Sequence, residues 1–306
     1  MTSKRKGRVQ KSTGSWYSVA TDTGQIYQCR LKGVFRNKGI KATNPIAVGD
    51  IVDITIDSGD GTGLITNIHP RTNYLIRKAT KLSKVTHVIA SNVEQVIIIV
   101  SLVQPRTSTG FIDRILTTAE AYHIPSVIVF NKTDLYDKNV IEKLQHLRSI
   151  YKKIGYKTIK TSAKTGDGLQ DLKHVLKDKI SLLSGHSGVG KSALINKLDP
   201  NLNLKTGQIS DYHLKGMHTT TFATMFQLSF GGNVIDTPGI KEFGLVEFEK
   251  VDLGQRFPEI RCLMKDCKFN NCVHLNEPGC AVITAAKNGE IAEFRYENYL
   301  NMLNSI

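Results

Sequence analysis

One octapeptide limits what this chain can be: Gly185-His186-Ser187-Gly188-Val189-Gly190-Lys191-Ser192. It fits G-x-x-x-x-G-K-[ST], follows the apolar run Ile180 to Leu183, and opens a segment with helical periodicity, Lys191 to Leu198. A strand that turns through glycines into a helix collects backbone N–H groups and the positive helix end around one point, a cradle for phosphate oxygens. There Lys191 reaches the β- and γ-phosphates and the Ser192 hydroxyl ligates Mg2+, with Ser184 at the loop's entrance. Such a loop needs a sheet behind it, so its surroundings must be α/β.

The flanking sequence agrees. Strands are expected at Gln95 to Val100, Ser126 to Phe130, Lys157 to Lys160 and Ile180 to Leu183, alternating with helices at Ile112 to Tyr122, Val140 to Ile154 and Leu169 to Lys179. That is the pattern of a parallel sheet covered on both faces. After the helix Lys191 to Leu198, a long polar stretch from Asp199 to Thr221 precedes strands near Ala223 to Ser229 and Asn233 to Ile235. A stretch of that length inside a compact domain signals a functional loop.

Four further motifs sit at strand ends. Asn131-Lys132-Thr133-Asp134 offers Asp134 to the N1–H and N2–H of guanine, with Lys132 along the base and Asn131 supporting the loop. Adenine lacks that donor pair and would leave the carboxylate desolvated, at a cost of about 1–3 kcal/mol or more. Thr161-Ser162-Ala163-Lys164 places the backbone N–H groups of Ala163 and its neighbour where guanine O6 would lie. Asp236-Thr237-Pro238-Gly239 brings a carboxylate to the Mg2+ shell and the Gly239 N–H to the γ-phosphate, while Gly216-Met217-His218-Thr219-Thr220-Thr221 supplies a threonine, Thr219 or Thr220, to close over the metal.

In an ordinary GTPase the phosphate loop comes first; here NKTD and TSAK precede it. A site assembled from loops at the carboxyl ends of parallel strands survives such cutting and rejoining of the chain. The expected core is therefore an α/β circularly permuted P-loop GTPase domain over residues 73–244. The permutation places the strand carrying DTPG directly before the cysteine-bearing segment, so movement at Gly239 on hydrolysis would pull on it.

Residues 1–72 differ in texture. Short alternating runs, Trp16 to Ala20, Gln25 to Leu31, Ile51 to Ile56 and Gly63 to Ile68, are separated by turn signals and suggest a small β-barrel of OB-fold size. The formal charge of the whole chain is +14, and much of it lies in the first 49 residues, where Lys4, Arg5, Lys6, Arg8, Lys11, Arg30, Lys32, Arg36, Lys38 and Lys41 face one acid, Asp22. Such a block suits a polyanion such as RNA, because each neutralised phosphate releases counterions. Trp16, Tyr17, Tyr27 and Phe35 either stack on bases or fill the barrel.

Residues 245–306 hold Cys262, Cys267, Cys272 and Cys280 and end in an amphipathic helix, Ile291 to Leu303, with Ile291, Phe294, Tyr299 and Leu303 on one side. In a cytosolic chain this crowding favours metal ligation over disulfides. Either four cysteines, or three with His274, make a closed tetrahedral zinc set. The basic start lacks a signal peptide's apolar run and the longest aliphatic stretch, Val96 to Val100, is too short to span a bilayer, so a cytoplasmic protein without membrane contact is expected.

Permuted motifs, basic small barrel and Cys267-x4-Cys272-x-His274-x5-Cys280 together resemble the RsgA (YjeQ) family of small-subunit biogenesis GTPases over essentially the whole chain. The resemblance implies an N-terminal OB-fold and an α-helical zinc-binding domain with His274, rather than Cys262, as fourth ligand. It also implies GTP hydrolysis to GDP stimulated by the small ribosomal subunit and its rRNA; a monomer is expected. One departure from ordinary GTPases bears on mechanism: Ile240 follows Gly239 where many carry a water-orienting glutamine. Slow unaided hydrolysis should follow. Either His218 or a group from the ribosome then orders the water, and a GTP-sensing RNA-binding scaffold with incidental hydrolysis is the rival reading.

Overall fold

The computed structural model describes residues 3–32, 45–57, 61–78, 86–204, 223–236 and 249–306. In chain order the strands are β1 Ser3–Ser12, β2 Tyr17–Thr21, β3 Ile26–Leu31, β4 Ile51–Ile56, β5 Gly63–Ile68, β6 Tyr74–Lys78, β7 Thr86–Ser91, β8 Gln95–Val100, β9 Ser126–Phe130, β10 Lys157–Lys160, β11 Ile180–Ser184, β12 Thr224–Gln227 and β13 Asn233–Asp236. The helices are α1 Thr109–Ala121, α2 Lys138–Ile154, α3 Leu169–Leu176, α4 Lys191–Leu198, α5 Lys250–Leu253, α6 Pro258–Leu263, α7 Ala281–Lys287 and α8 Glu293–Ser305. The described residues fall into two contact units, one drawn from Met1–Val96, Gln170–Ser184 and Lys191–Ile240, the other from Ile97–Leu169, Gly185–Gly190 and Lys241–Ile306.

The first unit opens with the barrel. Its order, β1-β2-β3-β5-β4, closes through β1–β4 pairing, and β3 runs parallel to β5, as in an OB-fold. Alternate residues point inward: Val9, Tyr17, Val19, Tyr27, Cys29, Val52, Ile54 and Ile65 form its core. Tyr17 and Tyr27 are therefore barrel filling, whereas Trp16 is half-buried with the Arg30 guanidinium 4.1 Å from its ring centroid; Phe35 lies outside the described residues.

β1 was not apparent in the sequence. Its basic residues hide the alternation, yet Gly7 and Val9 are buried while Lys4, Lys6 and Lys11 are exposed. The strand serves three partners, β4 along Ser3 to Arg8, β2 along Gly7 to Ser12, and β12 at Lys11↔Thr224. Likewise unforeseen is the antiparallel β6–β7 hairpin. Ser91 at its end donates to Asp50 Oδ1 at 2.6 Å, and the fully buried Asp50 also accepts from Arg71 Nε (2.7 Å), Arg71 Nη2 (2.7 Å) and Ala47 N (2.8 Å). A buried carboxylate is tolerable only when so saturated.

The sheet strands of this unit are β11 and β13, which are parallel, and β12, which runs antiparallel to β13 and departs from the all-parallel expectation. The connection explains it. A tight turn closed by Leu228 N–H on Gly232 O (3.0 Å) is too short for the crossover a parallel neighbour requires.

In the second unit β9 and β10 are parallel, with all of Val127 to Phe130 buried. Ser108 caps α1 by accepting from Phe111 N, and Asp137 caps α2 by accepting from Val140 N. The C-terminal helices enclose Leu253, Phe257, Ile260, Cys272, Cys280, Val282, Ile291, Tyr299, Met302 and Leu303. Of the predicted apolar face Ile291, Tyr299 and Leu303 are buried, Ile291 just before the helix begins, but the residue buried in its first turns is Arg295, 1% exposed, rather than the half-buried Phe294.

Arg295 Nη1 lies 2.6 Å from Asp113 Oδ1, and its Nε donates to Glu259 Oε1 at 2.6 Å. Tyr151 OH and Asn298 Nδ2 donate to the same Asp113, at 2.8 and 2.6 Å. Two carboxylates hold the guanidinium firmly cationic, with its pKa raised. Arg295→Met should cost about 3–5 kcal/mol, because removing it strands the fully buried Asp113 and leaves the partly buried Glu259 without its cation. Urea unfolding reads this directly, and a loss below about 1 kcal/mol would mean that the network carries no such load.

Candidate nucleotide-binding site and metal centre

The loops expected to select the base meet in the second unit. Asn131, at the end of β9 and 1% exposed, is a strut between them: Nδ2 donates to Val189 O of the phosphate loop (2.8 Å), and Oδ1 accepts from Thr161 Oγ1 (3.1 Å). Thr133 N–H and Oγ1 both reach Thr161 O, at 3.2 and 3.1 Å. The Ser162 hydroxyl donates to Asp134 Oδ1 at 2.5 Å while accepting from Thr165 N. Asp134 stays exposed, so its carboxylate is held by one side and open on the other. Lys132 occupies a left-handed conformation (φ 63°) and its Nζ donates to Gln104 O. Ala163 and Lys164 form the turn that follows.

Gly185 to Gly190 of the phosphate loop belong to the same unit. Gly190 has φ 98°, and a Cβ there would lie 2.4 Å from Asn131 Nδ2, so only glycine lets the loop meet its strut. The His186 ring packs on Phe111 of α1, centroids 3.8 Å apart and tilted by 31°. Val189 is fully buried and Ser187 and Gly188 continue the turn into α4.

Lys191, Ser192, Ser184 and Asp236 are in the first unit, the chain passing from one to the other at Gly190–Lys191. All four are at least nine-tenths buried. Burial pushes the Lys191 ammonium below its usual pKa, and Asp236 pulls the other way. Ser184 Oγ has no hydrogen-bond partner among the described residues. The sequence candidates His218, Thr219, Thr220 and Gly239, and Ile240 with them, lie outside the described residues.

At the C-terminus Cys267, Cys272, His274 and Cys280 bring their ligand atoms within 4.8 Å of one another. Cys267 Sγ is 3.9 Å from Cys280 Sγ and 3.7 Å from His274 Nδ1, which is 3.3 Å from Cys280 Sγ. Bonds of about 2.3 Å to sulfur and about 2.0–2.1 Å to nitrogen would separate tetrahedral ligands by about 3.8 and about 3.5 Å, so the donor set fits zinc. Without a cation, burial pushes the Cys272 thiol up to about 12. Cys262 is exposed on α6 and is not part of the group.

Several supporting residues escaped sequence reading. Tyr299 OH donates to Val273 O and Tyr296 OH to His274 O, each at 2.8 Å, while Glu277 accepts from the N–H groups of Val273, Leu275 and Asn276. Tyr136 OH donates to Asn131 O at 2.8 Å. Nothing local marks these: a tyrosine on an amphipathic segment has the same signature whether its hydroxyl is used or not.

The RsgA N-terminal domain model matches residues 6–65 and the RsgA GTPase model residues 68–246. A relative from Flavobacterium psychrophilum called small ribosomal subunit biogenesis GTPase RsgA is 50% identical over 97% of this chain and 92% of its own. One of the same name from Bacteroides fragilis is 51% identical, covering 97% and 96%. Among solved structures, YjeQ from Thermotoga maritima superposes with a TM-score of 0.81 at 38% identity, covering 99% of this chain and 98% of that one. YloQ, described as a circularly permuted GTPase, gives 0.76 at 31%, covering 99% and 95%. Motif order, barrel, strut and thiol cluster thus agree with sequence and fold likeness along the whole length, and the chain belongs to the RsgA family of circularly permuted GTPases.

Proposed function

We propose that this GTPase acts on the maturing small ribosomal subunit, binding its rRNA in the cytoplasm as a monomer and leaving when GTP becomes GDP and phosphate. The observation that carries the nucleotide half is the Asn131 strut, which ties the guanine-selecting loop to the phosphate loop at 2.8 Å. The names of the relatives support the ribosomal half, as does the basic outer edge of the barrel, where Lys4, Lys6 and the Arg30–Trp16 pair offer charge and a stacking surface.

In this reading Asp134 accepts from guanine N1–H and N2–H, Lys132 covers the base, Thr133 and Asn131 brace the loop, and the N–H groups after Ser162 hold O6. The N–H groups of residues 185–190 surround the phosphates, and Lys191 draws charge from the β–γ bridge as it breaks. Ser192 and Asp236 would hold Mg2+, which supplies neutralisation between the β- and γ-oxygens. Thr219 or Thr220 and the Gly239 N–H sense the γ-phosphate. Cys267, Cys272, His274 and Cys280 take one structural zinc ion.

Since Ile240 cannot orient water, subunits should raise multiple-turnover GTP hydrolysis by about two orders of magnitude or more. A rate that purified small subunits leave unchanged would favour a GTP-sensing scaffold. The same assay on His218→Ala assigns the water: retention of the full stimulated rate passes that role to a group of the subunit.

A further inference from the structure

We propose that the segment Ser101–Ser108 is a further nucleotide-positioning element of this GTPase, with the Tyr136 hydroxyl as its lock. None of the phosphate-loop, NKTD, TSAK, DTPG or threonine-loop residues lies in this segment. It follows β8 and precedes α1, and it reaches the proposed pocket at two places, with a third just beyond its end.

Its first contact is with the base loop: the Gln104 carbonyl accepts from Lys132 Nζ, the group assigned to lie along guanine. The second is with the phosphate loop, where a Cβ built on Gly188 would stand 3.5 Å from Pro105 Cδ, ordinary van der Waals contact. The third follows the segment by three residues, Phe111 against His186. Gln104 and Pro105 are exposed, so solvent contact does not fix them. Two hydrogen bonds close the segment on itself instead: Thr107 N–H to Ser101 O (2.8 Å) and Ser101 N–H to Thr107 Oγ1 (3.2 Å).

Tyr136 ties this closed segment to the base loop. Its hydroxyl accepts from Leu102 N–H at 2.9 Å and donates to Asn131 O at 2.8 Å, in a site where the side chain is 7% exposed. One oxygen thus sets the distance between the segment that holds Lys132 and the residue whose side chain braces both Val189 and Thr161. Tyr136 acts through Leu102 and Asn131, the two groups its hydroxyl bonds, and is a positioning residue. Loss of the hydroxyl leaves a buried N–H and a buried carbonyl unpaired, and both relax by shifting their loops.

The proposal rests on the reading that this pocket binds guanine nucleotides. Wild-type protein that failed to prefer GTP over inosine triphosphate, which lacks the N2 amino group, would sink that reading and not this one alone. Given the preference, Tyr136→Phe should reduce it by about tenfold. A merely destabilised protein would lose active fraction and keep the ratio. An unchanged GTP-to-ITP affinity ratio in folded Tyr136→Phe protein overturns the assignment. Should that variant not fold, Thr107→Val, which removes the acceptor for Ser101 N–H and keeps the shape, carries the same decision.

Discussion

Replacing Asp134 by asparagine should move the preference of this GTPase from guanine to xanthine nucleotides. The carboxylate is fixed by Ser162, whose hydroxyl donates to Oδ1 at 2.5 Å and is itself oriented by Thr165 N–H. An asparagine in the same place keeps its carbonyl oxygen on Ser162, which turns the amide Nδ2 toward the base edge. Guanine presents the N2 amino group there, so two donors meet; xanthine presents a carbonyl and pairs. Losing a charged acceptor and gaining a donor clash should weaken GTP by about a hundredfold, since hydrogen bonds to charged groups contribute about 1.5–3 kcal/mol and the mismatch adds to that. Equilibrium titration with labelled GTP and XTP decides it. If GTP affinity is unaffected, Asp134 does not choose the base, and the assignment of the NKTD loop falls with it.

That reading was available from sequence because the relevant groups are adjacent in the chain. Backbone turns and their side chains come as tetrapeptides at strand ends, so Asn131 to Asp134, Thr161 to Lys164 and Gly185 to Ser192 carry their geometry with them. Strands β8, β9 and β11 were equally open, being short, mainly apolar runs buried on both faces, whereas β10, with Lys157 and Lys160 exposed at its ends, is marked only by its place in the alternation. The order of the motifs, with Asn131 to Asp134 and Thr161 to Lys164 ahead of Gly185 to Ser192, disclosed the permutation.

What stayed hidden depends on partners far away in sequence. β1 reads as a cationic tail because Lys4, Arg5, Lys6 and Arg8 outweigh the alternation; only β2 and β4, tens of residues later, show that Gly7 and Val9 face a core. Arg295 reads as a surface residue until Asp113 and Glu259 arrive from α1 and α6. Tyr136 reads as a helix-flanking aromatic until Leu102 reaches its hydroxyl. For Arg295 and Tyr136 the deciding partner is a polar group far off in the chain; for β1 it is the pairing with β2 and β4. The choice between Cys262 and His274 is of the same kind: spacing alone left both open, and the exposed position of Cys262 on α6 separates it from the three other thiols.

Removing the metal should cost the C-terminal segment its cooperative fold. Cys272 and Cys280 are at once members of the proposed ligand set and core residues, packed with Phe257, Ile260 and Tyr299. The two tyrosines that pin the ligand loop, Tyr296 and Tyr299, hang from α8. Structural zinc contributes about 10–16 kcal/mol in small peptides at neutral pH, as much as the whole stability of an ordinary domain. Without it two buried thiols, the half-buried Cys267 and a buried imidazole gain little for the water they have lost. Purified protein should therefore carry one zinc ion per chain by elemental analysis. Chelation, or Cys280→Ser, should open residues 258–305 to limited proteolysis while the segment 126–164 remains resistant. Cys262→Ser should keep both the metal and the resistance, because that thiol is solvent-exposed and away from the cluster. If the chelated chain is cut no faster than the untreated one, the four ligands hold no structural ion, and the packing of α6 to α8 must stand on its apolar core alone.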